Sequence, residues 1–156
     1  DEIMVPCPGY NPYHQAAELA GAETVHIRTS MATNFCVTAE MVEAHITPKS
    51  KILVLINPNN PTGAVYPREV LEAIARIAER HHLVIYADEI YDQMTYDGAE
   101  FVPMATLAQR PGCMAGWAAG ANTACNGASR ACTSPLTSKK STPLSDVLHC
   151  RVSRGP

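Results

Sequence analysis

Two apolar runs that end abruptly in polar residues constrain the fold of this chain most strongly. Residues 83–87 (Leu-Val-Ile-Tyr-Ala) lead straight into the acidic pair Asp88 and Glu89, and residues 52–56 lead into the sequence Asn-Pro-Asn-Asn-Pro-Thr-Gly at 57–63. Short continuous apolar runs are typical of parallel strands that are buried on both faces. The two prolines and the glycine exclude a helix or a central strand over 57–63. Both polar segments therefore lie where open α/β sheets bind ligands, beyond the carboxyl ends of strands.

The segment between these runs is the clearest helix in the sequence. Its apolar residues recur three and four positions apart, as on one face of an amphipathic helix: Val70, Leu71, Ile74, Ile77 and Ala78. Pro67 lies just ahead of them, where the first turn of a helix tolerates proline. A strand at 51–56, this helix and a strand at 83–87 form a β-α-β unit, whose crossover we expect to be right-handed.

The first fifty residues predict two further strands and two further helices. Their patterns indicate strands at 3–5 and 23–28 and helices at 10–20 and 39–46. Gly21 supplies a left-handed stop for the first helix, and Thr38 is the expected N-cap of the second. The sequence therefore predicts an α/β fold with three layers, in which helices cover a mainly parallel sheet.

The composition suits a folded domain and excludes several function classes. With 156 residues, 46% of them hydrophobic, and a net charge of −3, the chain differs from both a disordered segment and a basic nucleic-acid binder. No apolar run approaches the roughly 18 residues of a membrane span, and residues 1–20 lack the pattern of a signal peptide. The six cysteines form no Cys-x-x-Cys pair, so we predict no metal site. We expect a cytoplasmic protein that binds neither nucleic acid nor membrane.

The two polar segments also carry a family resemblance. Asn-Pro-Asn-Asn-Pro-Thr-Gly at 57–63 and Ala-Asp-Glu-Ile-Tyr at 87–91 resemble the motifs of class I pyridoxal-phosphate aminotransferases, of fold type I. The resemblance covers residues 1–108 and is closest to the alanine aminotransferase-like branch, where Tyr96 and Asp97 also recur. It implies a large cofactor-binding domain and a homodimer with the active site at the subunit interface. The implied reaction moves an amino group between a small amino acid, of alanine or aspartate type, and a 2-oxo acid such as 2-oxoglutarate.

The resemblance assigns cofactor contacts to four residues. Asp88 would pair with the pyridine nitrogen of pyridoxal 5'-phosphate, Tyr91 and Asn60 would bond its phenolic oxygen, and Tyr10 would stack on its ring. From the residues alone, each also has an ordinary structural interpretation. Asp88 could be solvated or cap a helix, Tyr91 could be a core residue and Asn60 could form an Asx turn. Tyr10 could be an unremarkable aromatic residue at a helix start.

Beyond residue 108 the sequence changes character. Residues 109–156 are crowded with Ala, Gly, Ser, Thr, Cys and Arg and have no sustained apolar periodicity. We therefore predict two parts: a partial cofactor-binding domain at 1–108, and an irregular, disordered or linker-like tail at 109–156. Because periodicity and family resemblance end together, we hypothesise that the tail is non-native sequence, such as the product of a reading-frame error.

The lysine that anchors the cofactor in this family has no counterpart in the expected place. A Ser-Lys motif is expected near residues 118–126, where the sequence has no lysine. Lys139 and Lys140 lie far beyond this window, and Arg130 matches the expected phosphate contact too loosely to carry that role. Because the lysine is both the covalent anchor and the proton shuttle, we predict that the chain is an incomplete and inactive fragment.

Three alternative interpretations compete with this one. The strand at 83–87 with its acidic end also resembles a Walker B strand, but a P-loop requires a Gly-Lys pair, and the sequence has none. Other fold-type I enzymes, such as C-S lyases, decarboxylases and ring-forming synthases, share the same cofactor residues. A non-catalytic remnant is the third alternative.

Overall fold

A parallel five-stranded sheet forms the centre of the computed structural model, which describes residues 1–107 and the backbone of 114–118. The strands pair in the order β2-β1-β3-β4-β5, and every pair is parallel. Their bounds are β1 Glu2–Cys7, β2 Glu23–Arg28, β3 Ser50–Ile56, β4 Val84–Glu89 and β5 Met114–Ala118. Because all strands run the same way, their carboxyl ends meet at one edge of the sheet.

Three α-helices connect the first four strands and cover both faces of the sheet. They are α1 (Pro12–Leu19), α2 (Ala39–His45) and α3 (Arg68–His81). Residues of α2 and α3 pack with one face in the larger hydrophobic cluster, and residues of α1 pack with the other face in a smaller cluster. The predicted three-layer α/β fold is therefore confirmed. Within the described residues, no helix is both long and apolar enough to cross a bilayer.

Helix α3 has the predicted amphipathic packing. Its buried residues are Leu71, Ile74, Ala75, Ile77 and Ala78. The helix begins one residue after Pro67, which is its N-cap, and ends at His81, followed by the C-cap His82 in the left-handed conformation (φ 55°). The β-α-β unit formed by β3, α3 and β4 is therefore confirmed.

The predicted elements in the first fifty residues all exist, with changes at their ends. Strand β2 has the predicted bounds, and Thr38 caps α2 by accepting a hydrogen bond from the Met41 amide at 3.3 Å. Gly21 has a φ of 71°, as predicted for a left-handed stop. Helix α1 is shorter than predicted, because Tyr10 and its neighbour form a turn before Pro12 fixes the first helical residue.

Strand β5 differs from the prediction of an irregular segment after residue 108. Its five residues pair in parallel with β4, from Ile85 opposite Met114 to Glu89 opposite Ala118. The sequence Met-Ala-Gly-Trp-Ala has little local strand signal, so pairing with an existing strand determines its conformation. The rest of the predicted tail lies outside the described residues.

Candidate active site

The residues predicted to bind a cofactor lie at the carboxyl edge of the sheet, and the two-residue period of β4 separates its acidic pair. Ile85, Ala87 and Glu89 are buried, with Ile85 and Ala87 in the cluster that contains α3. Tyr86 and Asp88 point to the opposite face and are only half-buried. Among the residues with described side chains, α1 is the helix that packs on that face. The predicted burial of β4 on both faces is therefore wrong for this side, and Asp88 keeps access to the surface.

Asp88 accepts a hydrogen bond from a tyrosine of α1. The Tyr13 hydroxyl donates to Asp88 Oδ2 at 2.5 Å, and the Ile90 amide donates to Oδ1 at 3.3 Å. Burial, followed by the hydrogen bond to Asp88, raises the pKa of Tyr13 well above its ordinary value. Tyr13 therefore stays neutral and acts as a donor. An ionised carboxylate has about four acceptor positions, so Asp88 can accept a further donor from a ligand.

Asn60 and Tyr91 form a second pair at the same edge. The side-chain amide of Asn60 donates to the Tyr91 hydroxyl oxygen at 3.5 Å, although 31 residues separate the two in sequence. Both side chains are half-buried. Because the tyrosine oxygen accepts this bond, its own proton remains free to be donated to a third group.

The loop that carries Asn60 is tied to both neighbouring strands. The Asn57 amide donates to the Asp88 carbonyl at 2.9 Å, which fixes the loop against the end of β4. The Asn59 side chain donates to Thr62 Oγ1 at 2.8 Å and to the Pro8 carbonyl at 3.4 Å. Within residues 1–107, Asn57 Nδ2 and Asn59 Oδ1 are two of the buried side-chain atoms that lack a hydrogen-bond partner. The loop is therefore anchored by its backbone and side chains, while these two buried polar atoms remain without a hydrogen bond.

Tyr10 follows β1 on a tight turn and presents its ring to solvent. A Cβ at Gly9 would lie 2.4 Å from the Pro6 carbonyl oxygen, so the turn requires glycine there. The Tyr10 side chain is 46% exposed, and its ring meets the Tyr13 ring edge-on at 6.0 Å between centroids. An exposed aromatic ring next to the tyrosine that bonds Asp88 is available to stack on a ligand.

The predicted residues thus form two groups on one edge of the sheet. Asn60 contacts Tyr91, and Tyr10 reaches Asp88 through Tyr13. In the part of the chain with described side chains, no hydrogen bond between side chains joins the two groups. The surface has a cavity lined in part by Pro48 and another lined in part by Glu100. Neither cavity is lined by any of the four predicted residues.

Sequence reasoning missed Tyr13, which links Tyr10 to Asp88. Its available signal was the spacing of three residues after Tyr10, which in the predicted helix at 10–20 would place the two aromatic rings on neighbouring positions of one surface. The residues considered for the anchoring lysine and the phosphate contact, Lys139, Lys140 and Arg130, lie outside the described residues.

Glu89 has a structural contact that the sequence did not indicate. It is 7% exposed, and its Oε1 accepts a hydrogen bond from the Met104 amide at 2.7 Å. Burial raises the pKa of Glu89, while the bond from Met104 partly opposes that rise. The side chain therefore ties the segment around Met104 to the end of β4. It is buried away from the edge where Asp88 lies.

Comparison with known proteins identifies a family match and close relatives. The family model "Aminotransferase class I and II" matches residues 1–135. Glutamate-pyruvate aminotransferase AlaA of Escherichia coli (strain K12) is 44% identical over 108 residues, which are 69% of this chain and 27% of that protein. Aspartate/prephenate aminotransferase of Thermus thermophilus is 44% identical over 103 residues, covering 66% of this chain and 27% of that protein.

Solved structures give the same result for the fold. Aspartate aminotransferase from Thermus thermophilus with maleate superposes with a TM-score of 0.70 at 39% identity, covering 76% of this chain and 30% of that one. Aromatic aminotransferase from Pyrococcus horikoshii gives a TM-score of 0.73 at 30% identity, covering 76% and 32%. The chain spans about a quarter of the length of the curated relatives it matches, at 27% for AlaA.

Proposed function

Because the chain belongs to the class I and II aminotransferase family, we propose that the complete protein is a pyridoxal 5'-phosphate-dependent aminotransferase. It moves an amino group between a small amino acid, of alanine or aspartate type, and a 2-oxo acid such as 2-oxoglutarate. The relatives named glutamate-pyruvate and aspartate/prephenate aminotransferase support this substrate class. The observation that carries the proposal is the contact between Asn60 and Tyr91, which joins two family motifs at the ligand-binding edge of a parallel sheet.

Asp88 is proposed to hold the protonated pyridine nitrogen of the cofactor. When bound, the cofactor supplies an electron-accepting ring for the charge left as the substrate loses its Cα proton. An ionised carboxylate next to the ring nitrogen keeps that nitrogen protonated through a charge-assisted hydrogen bond. The half-buried position of Asp88, with acceptor capacity beyond its bonds to Tyr13 and Ile90, fits this role.

Tyr91 and Asn60 are proposed to donate to the phenolic oxygen of the same ring. The Tyr91 hydroxyl accepts from Asn60, so its proton points away from that contact and is available to the ligand. The Asn60 amide has a second N–H that is also available. Two donors at the phenolic oxygen stabilise its anionic form. They would therefore lower the proton affinity of the imine nitrogen beside that oxygen, which is distinct from the pyridine nitrogen.

Tyr10 and Tyr13 are proposed to position the ring and the carboxylate. Tyr10 would stack on the ring with its exposed face, and Tyr13 would hold the orientation of Asp88 through its hydrogen bond. Because Tyr13 remains neutral, it adds a donor beside Asp88 without adding a charge.

The division of the chain near residue 108 and the absence of the anchoring lysine also remain proposals. The AlaA relative aligns over 108 of the 156 residues, and the family match continues to residue 135, so the boundary rests on the change in the character of the sequence. We propose that the chain alone does not transaminate and that the complete enzyme is a homodimer. Sequencing the coding DNA through this junction tests the reading-frame hypothesis, and an uninterrupted, verified frame would contradict it.

Ligand binding to the chain can be tested by amide NMR during a titration with pyridoxal 5'-phosphate. We expect shifts at Asn60, Asp88 and Tyr91, and we expect Asp88→Ala to weaken binding by about tenfold or more, as for loss of a charge-assisted hydrogen bond. Asp97→Asn is the matched control, because Asp97 is exposed and lies in a turn. Shifts confined to other residues, or equal effects of both variants, would refute the proposed site.

Reduction with borohydride tests the missing anchor separately. We expect no specific lysine labelling after the chain is mixed with pyridoxal 5'-phosphate, because the expected window contains no lysine. Specific labelling of Lys139 or Lys140, together with transamination of alanine, would show that the chain is catalytically complete.

A further inference from the structure

Two histidines and a threonine form a cluster where helix α1 covers the outer strand β2. His14 lies on α1, and Thr24 and His26 are two residues apart on β2, so both point to the same face of the sheet. The His14 and His26 rings lie 5.3 Å apart between centroids, with a tilt of 47°. His14 Nδ1 lies 3.1 Å from Thr24 Oγ1. None of these three residues takes part in the proposed cofactor site.

We propose that His14 and His26 together bind a divalent transition-metal ion such as Zn²⁺ or Ni²⁺, with Thr24 orienting the His14 ring. Neutral imidazole is a preferred ligand of these ions. The cysteine spacing in the sequence gave no indication of this site, because its ligands come from two different elements.

The separation of the two rings fits ligation of one ion. With metal–nitrogen distances of about 2.0–2.1 Å and an angle between about 90° and 109°, the centroids of two coordinated imidazoles lie roughly 4.5–5.2 Å apart. The observed separation of 5.3 Å lies just above this range, so a small movement of one ring would bring both into it. His26 is exposed, and rotation about its broad χ2 can direct a ring nitrogen towards the ion without moving the backbone.

Thr24 is suited to select the ligand nitrogen of His14. When Nδ1 carries the proton, it donates to Thr24 Oγ1 and leaves the Nε2 electron pair free for a metal. Metal-binding histidines in proteins generally donate their second ring nitrogen to an oxygen in this way, which fixes the tautomer and the ring orientation.

The site would leave several coordination positions of the metal ion unfilled by protein side chains. Among residues 1–107 there is no group of three or more His, Cys, Asp or Glu side chains placed to hold a metal, so two imidazoles are the protein ligands. Water or an added chelator would complete the coordination. Binding would also tie α1 to β2, and α1 carries Tyr13, which donates to Asp88.

Nickel capped by nitrilotriacetate is a sharp probe of this geometry. The chelator leaves two adjacent positions, which a pair of nearby imidazoles fills and a single imidazole fills only in part. We expect one capped ion to bind the untagged 156-residue chain and its paramagnetism to broaden the amide signals of residues around 14 and 24–26. His14→Gln and His26→Gln should each weaken binding by about tenfold or more, and Thr24→Val by about tenfold.

His82→Asn is the control, because His82 is exposed and left-handed (φ 55°), a conformation that asparagine tolerates. It should leave capped-nickel binding unchanged. The proposal is overturned if the chain does not bind the capped ion, or if His14→Gln and His26→Gln bind as tightly as the parent chain. Circular dichroism of each variant separates loss of the site from loss of the fold. If His14→Gln fails to fold, capped-nickel binding by His26→Gln decides the test, because His26 is exposed and its replacement should leave the fold intact.

Discussion

The buried carboxyl group of Glu89 allows a quantitative test of how the segment after β4 is held. In Glu89→Ala, the Met104 amide loses its acceptor and remains buried, since Met104 is 2% exposed. An unpaired buried donor costs about 1–3 kcal/mol. Loss of a buried methylene adds about 0.8 kcal/mol. We therefore expect Glu89→Ala to lower the free energy of unfolding by about 2–4 kcal/mol.

The variant Glu89→Gln keeps the acceptor and removes the charge. Because burial raises the folded-state pKa of Glu89 above its ordinary value of 4.5, its stabilising effect is complete below that value and is lost as pH rises through the folded-state pKa. Glutamine does not titrate, and its side-chain oxygen can still accept from Met104. We expect Glu89→Gln to match the parent chain at about pH 4 and to be the more stable of the two at about pH 8.

Urea unfolding followed by circular dichroism, at several pH values, measures both effects. Two-state behaviour with equal urea dependence for the three proteins is the condition for comparing their free energies. If Glu89→Gln is as unstable as Glu89→Ala at all pH values, the hydrogen bond to Met104 is not the source of the stability. If the difference between Glu89→Gln and the parent does not grow with pH, Glu89 is not ionising in a desolvated position.

Four further substitutions test the core, the surface and one helix cap by the same urea assay. Ile74→Ala, at a residue that is 0% exposed, should cost about 2–5 kcal/mol, whereas Leu19→Ala, at a residue that is 92% exposed, should change stability by less than about 0.5 kcal/mol. Tyr66→Phe should cost about 1–3 kcal/mol, because the Tyr66 hydroxyl is the acceptor for the buried Val37 amide at 3.1 Å. Thr38→Ala should cost about 1 kcal/mol through loss of the α2 N-cap. Equal effects at Ile74 and Leu19, or no effect at Tyr66 or Thr38, would contradict these assignments.

The sequence was sufficient to predict the elements whose apolar pattern is complete within the element. Helix α3 and strand β2 are examples, since their more buried side chains recur at the period of the helix or the strand itself. Thr38 and Gly21 were predictable for a related reason, because capping and left-handed conformations depend on the local chain.

Features that depend on distant partners were not predictable in this way. Strand β5 is defined by its pairing with β4, and the bond between Tyr13 and Asp88 joins residues 75 positions apart. The pair of Asn60 and Tyr91 was expected only through the family resemblance, because neither residue carries a local signal for the other. The four residues of the candidate site were thus proposed from the sequence. The role of Tyr13, which links Tyr10 to Asp88, is visible only in the folded structure.

The adjacent residues Asp88 and Glu89 explain why a single acidic pair can serve two purposes. The two-residue period of β4 turns Glu89 towards the face covered by α3, where burial and the Met104 amide give it a structural contact. The same period turns Asp88 towards the face on which α1 packs, where Tyr13 is its neighbour and Asp88 is half-buried. A shift of one residue in the pairing of β3 and β4 would exchange these positions and bury Asp88 without its donor. The pairing register of β4, and not the acidic sequence alone, therefore determines which carboxylate is available to a ligand.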